Sequence, residues 1–386
     1  MKLEEPVWAL GLMSGTSMDG IDGAALLTDG VDILGFGPKR FEPFDPALRA
    51  DLRAALGSWP GAAGLDTLEA RLTEAHAALA GYFPTTEVVG FHGQTLAHDP
   101  AAGRTHQLGD GAALGRRVER DVVWDFRTAD VASGGEGAPL VPFFHHALAR
   151  MLNWTEVTAI LNIGGVANVT WIDPNVARPG ASGALLAFDT GPGNALLNDL
   201  MAARGGAEMD SGGALAATGT PDRALIAEVL EDPYFARPAP KSLDRDHFDW
   251  VLPRLADHSL EDAAATLTEL TAAAVGHASK IMPEAPTRWL VTGGGRLNAT
   301  MMRALAAQTN LPVEPVESVG LDGDFLEAQA FAYLAVRVMR GLATTSPDTT
   351  GARLPVCGGR IFRVETPSPV IAAVSKVRGT AAAGGG

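Results

Sequence analysis

An apolar run, a turn built from glycine and small polar residues, then a second apolar run: this layout opens the chain as "VWALGLMSGTSMDGIDGAALL" (7–27) and returns as "VTAILNIGGVANVTWI" at Val157–Ile172. Runs broken in this way read as strand–turn–strand. Each copy heads its own stretch of alternating strand and helix patterns, so the chain reads as a duplicated α/β domain with a cleft between the copies. With 386 residues, 46% of them hydrophobic, it can supply two cores. We expect an N-terminal domain over 1–130 and a second over 131–386, with the C-terminal segment returning to the first. The Gly- and Pro-rich stretch "ASGGEGAPLVP" (132–142) serves as loop or hinge.

In finer detail, strands are expected at Val7–Met13, Ile21–Leu27 and near Val31–Phe36. Three- and four-residue spacing predicts helices across Pro46–Leu56 and Asp66–Ala80. A strand in "EVVGFHGQT" and a helix opening at "GDGAALGRRV" follow. Two more turns stand out: "AFDTGPGN" (187–194), leading into a helix, and "WLVTGGGRLNATMMRAL" (289–305), which is strand, glycines, helix. The tail after Val377 reads as disordered.

Composition narrows the function classes. Net charge is −15, and the lysines are Lys2, Lys39, Lys241, Lys280 and Lys376 alone, which argues against nucleic acid or an anionic membrane as partner. No run approaches 18 uninterrupted apolar residues, and "MKLEEPVWAL" does not read as a signal peptide. The single cysteine, Cys357, excludes an internal disulfide framework and reads as a packing residue in a strand-like "LPVCGG". The expectation is a soluble cytoplasmic protein.

The turns are where chemistry belongs, because ligands of open α/β sheets gather at strand ends. "SGTSMDG", "DTGPGN" and "TGGGRLN" each follow an apolar run, and the set says more than any member. No G-x-x-x-x-G-K-[ST] is present, "GDGAALG" has the wrong spacing for a dinucleotide fingerprint, and protein-kinase signatures are missing. What is left suits phosphate and Mg²⁺. Ser14, Thr16 and Ser17 offer hydroxyls and backbone donors, while Asp19, Asp22 and Asp189 offer carboxylates for a metal or for base work. His92 and His98 lack an obvious third ligand, and His145–His146 point apart on a helix, so neither pair makes a metal site.

Together these turns resemble the sugar-kinase, Hsp70 and actin superfamily, whose fold is two duplicated ribonuclease H-like (actin-like ATPase) domains flanking a nucleotide cleft. "MSGTSMDGID" looks like its first phosphate turn, "FDTGPGN" like the second and "VTGGGRLN" like the adenosine turn. Within it the chain resembles the anhydro-N-acetylmuramic acid kinase family over nearly its whole length. "GFHGQTLAH", "QLGDGAALG", "DFRTADVASGGEGAPLVPFFH", "LNIGGVANVT", "DPYFARPAPKS" and "DFLEAQAFAYLA" follow that family's order.

The resemblance implies an enzyme that takes 1,6-anhydro-N-acetylmuramic acid, ATP and water to N-acetylmuramic acid 6-phosphate and ADP in peptidoglycan recycling, with Mg²⁺, as a homodimer. It implies ATP contacts at Gly15, Thr16, Ser17, Met18, Asp19, Gly20, Ile21 and Asp22, then at Gly191, Gly193, Asn194, Gly293 and Gly294. It makes Asp189 the catalytic base, a role that hydrating an anomeric carbon requires. Arg127, which can pair bidentately with a lactyl carboxylate, falls on the sugar with His92 and Gln94. Glu327 falls near the metal.

Three blocks depart from the family pattern: "KSLDRDHF" where Thr-Gly usually precedes the charged pair, Glu136 in place of a glutamine, and Ala97 in place of a basic residue. On the sequence, none of them touches Asp189. Two alternatives stay open: a kinase of another amino sugar, and an actin- or Hsp70-like ATPase module without a sugar substrate.

Overall fold

The structure, a computed structural model, describes residues 5–15 and 17–364. It divides into two compact units. The first holds the residues up to 151 with 325–346 and the segment from 352 on; the second holds 152–324 with 347–351.

In the first unit β1 (Val7–Met13), β2 (Gly20–Thr28) and β3 (Ile33–Pro43) form an antiparallel meander. β4 (Val88–Phe91) lies parallel to β1, and a two-stranded ribbon, β5 (Gln94–Asp99) with β6 (Arg104–Leu108), stands apart from the sheet. β7 (Asp121–Trp124) runs parallel to β4, and the short strand Arg360–Phe362 closes that edge antiparallel.

Side chains alternate along β1, so its two faces meet different partners. Leu10 and Leu12 join Leu48, Leu52, Leu68 and Leu72 of the helices Pro46–Ala54 and Leu65–Ala80 in one core. On the face of Gly11 lies the helix Leu326–Met339. It comes so close that a Cβ at Gly11 would sit 1.7 Å from the Ala328 carbonyl oxygen, and one at Gly90 of β4 2.1 Å from that of Phe331. Only glycine admits that approach.

In the second unit β8 (Thr158–Ile163), β9 (Val166–Ile172) and β10 (Leu185–Pro192) form the meander, and β11 (Arg288–Thr292) and β12 (Val313–Pro315) extend it in parallel from β8. Helices Leu260–Ala278 and Ala299–Thr309 cover it with Ala272, Val275, Met301 and Leu305 against Leu161, Val169 and Trp289. Numbered within its own unit, each sheet shares the order 3-2-1-4-5, antiparallel through the first three strands and parallel through the next two, and the first sheet adds the antiparallel Arg360–Phe362 as a sixth strand at its edge. That is the ribonuclease H-like arrangement twice over, so the duplicated α/β fold read from the two hairpins holds.

Some local expectations change. β3 extends to Pro43, where it pairs with Gly20 of β2; exposed Lys39 and Arg40 and half-buried Glu42 leave its second half no alternating apolar pattern. "EVVGFHGQT" splits between β4 and β5 at Gly93, which has φ +72°. Cys357 is exposed and lies outside any strand, so it does not pack as the sequence led us to expect. The tail beyond Val377 lies outside the described residues. Among those that are described, no helix is long and apolar enough to cross a membrane.

Candidate active site

The first glycine turn connects β1 to β2. Met13 pairs with Asp22, so eight residues, 14–21, make the connection; Thr16 among them lies outside the described residues. Ser14 is buried and donates to the Gly93 carbonyl at 3.2 Å, and the Met18 N–H closes a turn on the Gly15 carbonyl at 3.2 Å. Met18 adopts φ +52° and, like Ile21, sends its side chain into the core, which anchors the turn from below. Ser17 and Asp19 stay at the surface, hydroxyl to carboxylate at 2.7 Å. Gly20 begins β2 where a Cβ would meet the Glu42 carbonyl at 2.4 Å, and the half-buried Asp22 follows it.

The sugar-side candidates gather on the same unit. Gln94 is fully buried and donates its amide to the Gly15 carbonyl at 3.2 Å, while its side-chain oxygen has no partner. His92 Nδ1 lies 2.8 Å from the Gly93 carbonyl and must donate to it, which leaves Nε2 as an acceptor. Arg127 fills that acceptor with a fork, Nη2 at 2.9 Å and Nε at 3.2 Å, and donates Nη1 to the Gly137 carbonyl at 2.7 Å. Burial first and the neighbouring Arg127 second hold His92 well below the usual histidine range, so the ring is neutral. Both its nitrogens are engaged; it aims Arg127.

The loop carrying Gly137 is fixed in turn. Buried Asp130 accepts from the Gly137 N–H at 2.8 Å and from the Thr345 hydroxyl at 2.5 Å, and His98 Nε2 reaches the Glu136 carbonyl at 2.8 Å. His98 is thereby a loop clamp. Glu327, half-buried in the first turn of Leu326–Met339, has its carboxyl pushed up by burial, with the Arg127 charge opposing.

In the second unit the β8–β9 hairpin is short: Ile163 pairs with Ala167 across Gly164–Val166. Its glycine carbonyls hold the "DTGPGN" segment. Asn194 N–H donates to Gly164 at 2.8 Å, and Gly193 and Ala195 N–H donate to Gly165 at 3.0 and 3.1 Å. A Cβ at Gly193 would meet the Gly164 oxygen at 2.5 Å. The Asn194 amide reaches the Ile163 carbonyl at 3.1 Å.

Asp189 stands where β10 bulges against β9, the register slipping between Asp189 and Gly191. Gly191, at φ +156°, lets that bulge pass Ala274 and Phe235. Asp189 is 8% exposed, and its Oδ2 accepts from the Leu243 N–H at 2.8 Å. That contact corrects one reading: the "KSLDRD" departure does touch Asp189, but through a main-chain donor that Leu243 supplies as well as any residue.

The third turn, Gly293–Gly295, packs on Asn162 and Ile163, while Gly294 has only Asn194 near its Cβ direction. Buried Arg296 pins it, Nη1 on the Gly293 carbonyl at 3.0 Å and the rest of the guanidinium on Glu317 at 2.8 Å and Asp324 at 2.7 Å.

The comparisons fall on this arrangement. The family model described as anhydro-N-acetylmuramic acid kinase matches residues 7–364. The chain belongs to that family. A protein of Cereibacter sphaeroides named anhydro-N-acetylmuramic acid kinase is 55% identical over 93% of this chain and 97% of its own length. One of the same name from a Ruegeria species is 53% identical over 92% and 95%. A solved structure, the activator of 2-hydroxyisocaproyl-CoA dehydratase from Clostridium difficile with bound ADPNP, aligns at TM-score 0.40 with 15% identity, over 86% of this chain and 96% of that one, a likeness too slight to build on.

Within the enzyme, reading the sequence missed the partners that aim the candidates. Tyr234 donates its hydroxyl to the Asp189 carbonyl at 2.5 Å, and Asp189 N–H donates to the Lys241 carbonyl at 2.9 Å. Gly164 and Gly165 carry the "DTGPGN" segment, and the repeated hairpin layout was the one signal that could have singled them out.

Proposed function

We propose that the enzyme opens 1,6-anhydro-N-acetylmuramic acid with water and phosphorylates the freed O6 from ATP, giving N-acetylmuramic acid 6-phosphate and ADP for cell-wall recycling. The observation that carries the reading is Asp189: in a chain of this family, a nearly buried carboxylate held at one oxygen by a main-chain N–H is fitted for base work.

Asp189 takes a proton from water as the water oxygen bonds to the anomeric carbon. The bond from that carbon to O6 breaks and its electron pair stays on O6. O6 then bonds the γ-phosphorus, and the bond to the β-phosphate oxygen breaks and leaves with ADP. The proton on Asp189 passes to solvent. The leaving oxygen is captured by phosphoryl transfer, so a second carboxylate acid is not required.

Gly15 through Asp22, with Gly191, Gly193, Asn194, Gly293 and Gly294, serve ATP. The surface hydroxyl of Ser17 supports contact with phosphate, and the pinned glycines support the shape of the other two turns. Arg127, aimed by His92, pairs with the sugar's lactyl carboxylate, and the unpartnered Gln94 oxygen awaits a donor.

Mg²⁺ on nucleotide phosphates typically uses one or two carboxylates, with water and phosphate completing its shell. Glu327, a half-buried carboxyl in the first turn of Leu326–Met339, is a donor of that kind and would hold the ion once ionised. Bound there, Mg²⁺ supplies charge neutralisation. A homodimer and a cytoplasmic location rest on family resemblance, and light scattering reads the first.

The test is a coupled ADP-release assay with the anhydro sugar, wild type beside Asp189→Asn, with the product identified by mass. Sugar-dependent ADP release, a product heavier by one water and one phosphoryl group, and a loss of about a hundredfold or more in the variant are expected. Turnover only with another hydroxyl compound would retire the substrate; ATP turnover indifferent to sugar would retire the kinase reading.

A further inference from the structure

Three of the contacts that hold Asp189 come from one short segment, 234–243. The Asp189 carbonyl accepts from the Tyr234 hydroxyl, its N–H donates to the Lys241 carbonyl, and its carboxylate accepts from the Leu243 N–H. Lys241 holds that segment together. It is 3% exposed, and its ammonium donates back to the carbonyls of Tyr234 at 2.9 Å and Phe235 at 3.4 Å. The same ammonium lies 4.4 Å from the centre of the Tyr234 ring. The contacts close a ring from Asp189 through Tyr234 and Lys241 back to Asp189.

Burying an ammonium is costly unless each of its protons is used. Here they go to main-chain carbonyls and an aromatic face, an arrangement that fixes backbone position. Burial, with Arg237 adding to it and Asp189 opposing, lowers Lys241 to about 8. The ring of Tyr234 is itself seated against Phe235 and Phe248, with centroids 5.5 and 6.3 Å away.

We propose that Tyr234 and Lys241 are positioning residues for Asp189: the Lys241 ammonium folds the 234–243 segment into a clasp whose hydroxyl and Leu243 N–H set the direction of the carboxylate. This rests on Asp189 being the base. A carboxylate displaced by a fraction of an ångström still binds as before but meets the attacking water at the wrong angle, so the clasp acts on kcat.

The experiment is a double-mutant cycle of Tyr234→Phe with Asp189→Asn, using ATP and the anhydro sugar and radiolabelled ATP so that the slow backgrounds still give rates. Tyr234→Phe removes one oxygen and keeps the ring. In the wild-type background it should lower kcat by about tenfold with both KM values within about twofold, and in the Asp189→Asn background it should cost less than about twofold. Lys241→Met should repeat the pattern; if it does not fold, Tyr234→Phe decides alone. An equal loss in both backgrounds, which a merely structural role predicts, or a loss below twofold in wild type would overturn the proposal. Asp189→Asn turning over like wild type would instead remove the base assignment, and the clasp's purpose with it.

Discussion

The two hairpins at the heads of the two sheets share a place in the topology and little else. The first spans eight residues, is anchored by the inward side chains of Met18 and Ile21, and leaves Ser17 and Asp19 at the surface. The second is cut to Gly164–Val166, and its carbonyls are spent on the N–H groups of the "DTGPGN" segment. One copy of the duplicated strand pair offers its turn outward; the other has become the seat for a separate loop. Topology preserved the strand order, while the lengths of the turns divided the labour.

The sharpest break between the units should come with acid. His76 and His145, both in the first unit, are buried and held neutral, at about 4 and about 3, chiefly by desolvation. The unfolded chain takes protons near pH 6.5 that these folded histidines refuse. Their neutral burial is therefore tolerated above 6.5, and stability falls as pH drops below it. Each should cost about 1.4 kcal/mol per pH unit until its folded value is reached. In the second unit the histidine lowered by burial, His277, is only half-buried, and His247 and His258 sit on Asp232 and Asp222. Hydrogen exchange followed from pH 7 to 5 should loosen the first unit before the second; the reverse order would sink the contrast.

Next in size is a paired substitution. Gly193→Ala forces a Cβ against the Gly164 carbonyl and should cost about 1–3 kcal/mol in thermal unfolding. Gly15→Ala has its nearest neighbour, the Ser17 hydroxyl, at 3.8 Å and should stay within about 0.5 kcal/mol. Equal costs would show the first turn to be as tightly clamped as the second.

Arg127→Lys keeps the charge and loses the fork on His92 Nε2. We expect KM for the sugar to rise about tenfold with KM for ATP unchanged, a difference worth about 1.4 kcal/mol; a rise confined to ATP would move Arg127 off the sugar. The smallest effect belongs to Ser17→Ala. It removes one exposed hydrogen bond and should leave the melting temperature within a degree or two while KM for ATP rises about two- to threefold. A change in unfolding larger than that of Gly193→Ala would reverse the ranking.

The hairpins and the third turn could be read from the sequence because apolar runs broken by glycine are a local signal. The grip on Asp189 could not. It is made by a main-chain N–H at Leu243 and a hydroxyl 45 positions away, and a backbone donor leaves no trace in residue identity. Arg127 and His92 were each singled out, but their pairing across 35 positions depends on β4 and β7 lying side by side. Cys357 misled because two glycines and an apolar stretch look like a strand end whether or not anything packs on it.

The helix Leu326–Met339 lies against Gly11 and Gly90 although residues 152–324, nearly all of the second unit, come between them in the chain. During synthesis the first sheet is therefore made long before the helix that covers one of its faces. At roughly 5–20 residues per second, β1 waits on the order of tens of seconds with that face bare. The second unit, nearly continuous in sequence, has its sheet and both covering helices out of the ribosome sooner. The part of the molecule translated first is the part that must finish last, and a ribosome-associated chaperone has its longest opportunity there.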